Sequence, residues 1–155
     1  MELDAKATRV LLIDDDPVFR NLMAEVARAR GVSLDPYESL LDLGSVGLIG
    51  DYTVAIVDYR LEQMTGIEIG EYLQAFFNKT PMVLVSTMDR SAILESKWPT
   101  PIAKFINKSA GCEAILLSAL AVEVWNAPGE VRYDETTRVT RSHPGRRDSE
   151  EVLPE

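Results

Sequence analysis

The chain has 155 residues, 46% of them apolar and 26% charged, the balance of an ordinary globular domain with room for one core. Its net charge of −9 argues against a nucleic-acid-binding surface, which needs clustered Lys and Arg, and its single cysteine, Cys112, excludes an internal disulfide. No apolar run approaches the ~20 residues of a membrane span, and Met1 to Thr8 are too polar for a secretory signal, so a cytoplasmic protein is expected.

Arg9 to Ile13 forms a short apolar run that stops at Asp14-Asp15-Asp16-Pro17, the pattern of a buried strand. Asp16 suits a helix N-cap, with Pro17 at the first helical position, where its missing N–H costs nothing. Val18, Leu22 and Val26, with Phe19 and Met23, repeat at helical spacing to about Ala29, and Gly31 ends that helix. Val32 to Tyr37 is a weaker strand, placed at an edge by Pro36. Ser39 to Leu43 predicts a short helix before Gly44, Gly47 and Gly50 break the chain.

Val54-Ala55-Ile56-Val57 then ends abruptly in Asp58. A continuous apolar run marks a strand buried on both faces, and Asp58 falls at its carboxyl end. A loop to Thr65 leads to a helix from Gly66 to about Asn78, with Ile67, Ile69, Tyr72, Leu73 and Phe76 apolar. Pro81 to Val85 is a buried strand ending in Ser86-Thr87, and Ser91 to Lys97 a short helix stopped by Trp98-Pro99 and Pro101. Ile102 to Ile106 is the last strand, ending in Asn107-Lys108, and Glu113 to Trp125 a strongly apolar closing helix. Five strands alternating with helices predict an α/β fold with a five-stranded parallel sheet, helices on both faces. The expected organisation is an N-terminal extension over 1–8, one domain over 9–126 and a flexible charged tail over 127–155. In that tail His143 is solvated, which makes the chain a poor histidine phosphodonor, and Arg146-Arg147 is a solvated charge run. Trp98, Trp125 and Cys112 are read as packing residues.

In a parallel sheet the polar strand ends, Asp14/Asp15, Asp58, Ser86/Thr87 and Lys108, share one edge. Three converging carboxylates repel and raise one another's pKa, so positive charge must compensate. Lys108 supplies one charge and a bound Mg²⁺ would supply two, in the oxygen-rich setting it prefers. A carboxylate beside such a cation, with a lysine and a hydroxyl for the remaining oxygens, is equipped to form an aspartyl phosphate.

From about Thr8 to Trp125 the chain resembles the receiver domains of two-component response regulators, through Asp14-Asp15, Asp58, Gly66, Ser86 and Lys108 at the family's spacing. The resemblance implies a (βα)5 flavodoxin-like fold. It makes Asp58 the phosphoacceptor, Asp15 a direct and Asp14 a water-mediated Mg²⁺ ligand, and the Arg60 carbonyl a further metal ligand. It implies that Lys108 contacts the phosphoryl group, that Ser86 and Phe105 are the switch pair, and that Thr87 stands beside the site. Implied partners are a sensor histidine kinase or phosphotransfer protein, and a downstream protein or second copy, with no direct nucleic-acid or membrane contact. The chain departs from the family in carrying Glu62 and Ser109 where proline is usual, and Thr87 where a smaller residue is general. Thr87 is expected to crowd attacking water and slow phosphoryl loss. A cis Lys108–Ser109 bond would cost ~3 kcal/mol without proline. The expected function is a stand-alone receiver with no catalysis beyond its own phosphoryl transfer. The alternative, prompted by Glu62 and Ser109, is an unphosphorylated interaction scaffold. A Mg²⁺-dependent phosphatase is a third reading, weakened because Asp58 is followed by Tyr59-Arg60 rather than by an acid two residues on.

Overall fold

A computed structural model describes residues 7–76, 78–93 and 98–125. The expected extension and tail fall largely outside them, as do residues 94–97. Five parallel strands, β1 (Arg9–Ile13), β2 (Ser33–Tyr37), β3 (Val54–Asp58), β4 (Met82–Ser86) and β5 (Ile102–Asn107), form one sheet in the order β2-β1-β3-β4-β5. The α/β fold, the parallel sheet and the edge position of the Pro36 strand are as the pattern predicts.

The strands are continuously apolar because alternate residues serve two cores. Val10, Leu12, Val54, Ile56, Val83 and Val85 meet Phe19, Met23 and Ala27 of α1 (Pro17–Ala29) and Ile115, Leu116, Ala119 and Val122 of α4 (Cys112–Trp125). Leu11, Ile13, Ala55, Val57 and Met82 meet Ile69 and Leu73 of α3 (Gly66–Ala75) on the other face. Leu43 of the short α2 (Leu40–Leu43) and Ile49 of a 3₁₀ segment (Val46–Asp51) complete that second core. Each fully buried Leu or Ile contributes roughly 1.5–3 kcal/mol, so these two sandwiched layers hold the central strands rigidly.

Three expectations change. The face of α1 turned to the sheet is Phe19, Met23 and Ala27, with Val26 only partly buried, while Val18 and Leu22 are exposed at 64% and 52%. A helix offers one such stripe at i, i+4, i+8, and the stripe containing small Ala27 is the one that packs. On α3, Tyr72 and Phe76 likewise face outward. The expected helix over 91–97 falls in large part on residues 94–97, outside the described residues; ahead of them a single 3₁₀ turn spans Arg90–Ala92, and Ile93 is extended. Its N-cap residue, Asp89, makes no side-chain hydrogen bond to the turn's own backbone, while Ile93 is drawn into a cluster with Ile67, Leu84 and Phe105. Competing burial of Ile93 ends the turn. No cis peptide bond occurs among the described residues, so the Lys108–Ser109 bond is trans.

Candidate functional site

Asp14 follows β1 directly and is fully buried. Its backbone N–H donates to the Tyr37 carbonyl at 3.0 Å, and its own carbonyl accepts from Arg20 Nη1 at 2.7 Å. Its Oδ1 accepts from the Asp16 N–H at 2.9 Å. Asp16 in turn N-caps α1, accepting from the Val18 N–H at 3.0 Å, so it acts as a cap. Asp14 Oδ2 accepts no aligned hydrogen bond but lies 2.7 Å from Lys108 Nζ, which holds it by charge.

Asp58 is the last residue of β3, in register with Val85 of β4. Behind it, α3 begins so closely that a Cβ on Gly66 would stand 2.7 Å from the Asp58 carbonyl oxygen and 2.5 Å from Leu84 Cδ1. Glycine is required there by space. Thr65 and Glu68 close that helix start with a reciprocal capping box. The Arg60 backbone N–H donates to the Asp58 carboxylate, and the exposed Arg60 side chain reaches Met88 Sδ at 3.3 Å.

Lys108 arrives from β5 through a 3₁₀ turn (Lys108–Ala110) whose cap, Asn107, accepts from the Ser109 N–H at 2.8 Å. Asn107 Nδ2 also donates to the Met88 carbonyl and Asp89 Oδ1, both at 3.2 Å, tying the loop after β4 to that after β5. Lys108 Nζ sits 3.5 Å from Asp58 Oδ2 and 4.4 Å from the centre of the Phe19 ring. Ser86 is buried and its Oγ accepts from the Met88 N–H at 2.9 Å, while Thr87 is exposed. Phe105 is buried, with its ring 6.0 Å from that of Trp98, itself under the Arg90 guanidinium at 3.9 Å.

One carboxylate oxygen from each of Asp14, Asp15 and Asp58 lies within 4.8 Å of the others. Burial, and then the Asp14 charge, push the Asp58 carboxyl up to about 6. Burial likewise raises Asp14. Burial works to lower Lys108, but its contacts with Asp14 and Asp58 outweigh that and hold its pKa above the ordinary lysine value. Three carboxylates against one ammonium leave two negative charges uncompensated, and hard oxygen donors at this spacing fit Mg²⁺. Asp14, Asp15 and Asp58 would hold it, and once bound it would neutralise charge on a phosphoryl oxygen.

A model of the response regulator receiver domain matches residues 10–119. The chain belongs to the response regulator receiver family. Solved receivers share its fold. Thermotoga maritima TrrA, solved with Mg²⁺-BeF, is 19% identical with a TM-score of 0.62, over 74% of this chain and 98% of its own. Vibrio cholerae CheY4 is also 19% identical with a TM-score of 0.63, over 75% and 98%. The Mycobacterium tuberculosis NarL receiver domain is 22% identical with a TM-score of 0.62, over 77% and 98%. No curated protein matches the chain.

In this receiver the sequence-predicted Asp14, Asp15, Asp58 and Lys108 come together at one sheet edge, while Ser86 is engaged with Met88. Phe19, Arg20 and Asn107 also shape the site and were missed. Arg20, six residues after Asp14 and one turn into a capped helix, had a usable signal in its spacing. Phe19 and Asn107 meet partners far along the chain, and no local pattern marks them.

Proposed function

We propose that this receiver is a Mg²⁺-dependent phosphoacceptor that takes a phosphoryl group on Asp58 from the phosphohistidine of a kinase or phosphotransfer protein. What supports the reading is the carboxylate cluster bridged by Lys108, 2.7 Å from Asp14 and 3.5 Å from Asp58. With a pKa near 6, Asp58 is mostly ionised at neutral pH and is available as a nucleophile. Its carboxylate oxygen attacks phosphorus, the P–O bond forms as the P–N bond breaks, and the electron pair leaves with the imidazole. Lys108 swings from the Asp58 oxygen to a phosphoryl oxygen, and Ser86 Oγ leaves the Met88 N–H to meet another. Because Asn107 and Met88 link the loops after β4 and β5, that movement is passed to Phe105, Trp98 and the 3₁₀ turn at Arg90. The output is a changed surface for a downstream protein or a second copy.

On this reading the only reaction the protein assists is its own phosphoryl transfer. Among the described residues no helix is long and apolar enough to cross a membrane. Incubation with Mg²⁺ and acetyl phosphate is expected to add one phosphoryl group by intact mass, lost in Asp58→Asn, and to change tryptophan fluorescence through Trp98. An unphosphorylated scaffold would give neither change, and a phosphatase would turn over aryl phosphates.

A further inference from the structure

We propose that Phe19 is a positioning residue for Lys108, its ring face holding the ammonium over the carboxylate cluster. The consequence for phosphoryl transfer rests on the phosphoacceptor reading above. Phe19 is the third residue of α1, and only 7% of it is exposed. The Lys108 ammonium lies 4.4 Å from the ring centre, well inside the range of a cation–π attraction. The Lys108 side chain is 12% exposed, so water competes little for it.

Lysine is a point charge on a flexible four-carbon stem, and nothing in its own geometry fixes where the charge sits. Two carboxylates draw it from the sheet side, at 2.7 Å and 3.5 Å, and the Phe19 ring meets it from α1. A ring face attracts a cation without offering a discrete acceptor atom. The ammonium can therefore shift from Asp58 toward an incoming phosphoryl oxygen without breaking a hydrogen bond on that side. A third carboxylate in place of the ring would anchor it and add to the negative charge. Position 19 thus has two roles. Along with Met23 and Ala27 it fills the core between α1 and the sheet, which another apolar residue of similar size can do. Only an aromatic ring also attracts the charge.

The test uses the full chain with Phe19→Leu, Phe19→Tyr, and a series carrying one, two or three ring fluorines at position 19. Fluorination drains the ring face of negative potential at nearly constant size. Rates of phosphorylation by acetyl phosphate with Mg²⁺ are measured beside the proton shifts of the Lys108 ε-methylene. In wild type those protons are expected upfield of ordinary lysine, and Phe19→Leu returns them. Phe19→Leu is expected to slow phosphorylation roughly five- to thirtyfold, Phe19→Tyr to stay near wild type, and the fluorine series to decline stepwise while its circular dichroism spectrum stays that of wild type. A flat fluorine series, or an unshifted Lys108 methylene in wild type, overturns the proposal. Should Phe19→Leu fail to fold, the fluorine series decides alone. Wild-type protein that takes up no phosphoryl group overturns the functional reading instead, and the methylene shift still decides whether Phe19 holds Lys108.

Discussion

Asp58→Asn makes the electrostatic cost of the site measurable. The Asp58 carboxyl is raised to about 6, first by burial and then by Asp14, against about 3.9 in an unfolded chain. Between these values the folded state binds the proton more tightly, so the ionised group costs stability as pH rises from about 4 to 6 and costs its full amount above. Two pKa units correspond to about 3 kcal/mol. Asn has nearly the same shape and no charge, so without divalent cation the variant is expected to be about 2–3 kcal/mol more stable at pH 7. The advantage should halve near pH 5 and become small near pH 4. Urea unfolding in EDTA across that range, followed by circular dichroism, gives the difference directly. A gain that stays constant from pH 5 to 7.5, or a variant less stable than wild type at pH 7, refutes the assignment of a buried, repelled carboxylate at Asp58.

Lys108→Ala leaves the fully buried Asp14 carboxylate without its counter-charge and is expected to cost about 3–5 kcal/mol in EDTA. Calorimetric titration should show Mg²⁺ binding this variant more tightly than wild type, because one positive charge has left the cluster; weaker binding would argue against a shared site. Gly66→Ala forces a methyl group against the Asp58 carbonyl and Leu84, and a loss of about 1–3 kcal/mol is expected from the shift in urea midpoint. The same displacement should slow phosphoryl uptake on Asp58, and a variant with wild-type stability and rate would contradict the close approach of α3.

Strand positions were legible because burial on both faces leaves a signature that needs no partner to interpret: Val54 to Val57 can be apolar throughout only in the middle of a layered sheet. Asp14, Asp15, Asp58 and Lys108 followed, since parallel strands must bring their carboxyl ends to one edge. The face of α1 was not legible. Val18, Leu22 and Val26 recur as regularly as Phe19, Met23 and Ala27, and the choice falls to the stripe whose small Ala27 fits against the core. Nor could the 3₁₀ turn at Arg90 be read, because burial of Ile93 against Phe105 depends on chain twelve residues away. The contacts of Phe19 with Lys108 and of Asn107 with Asp89 belong to the same kind of information, set by the assembled sheet edge and by no local rhythm.

Every residue of β3 is buried, down to Asp58 itself. Amide hydrogen exchange should therefore find Ala55 to Val57 among the slowest sites, opening only with global unfolding. The proposed phosphoacceptor would then be mounted on the foldon that comes apart last, whereas Thr87 and Arg60 are exposed beside it. If Asp58 is the phosphoacceptor, a substitution at those exposed positions is expected to change how long a signal persists while leaving the reacting carboxylate where it was.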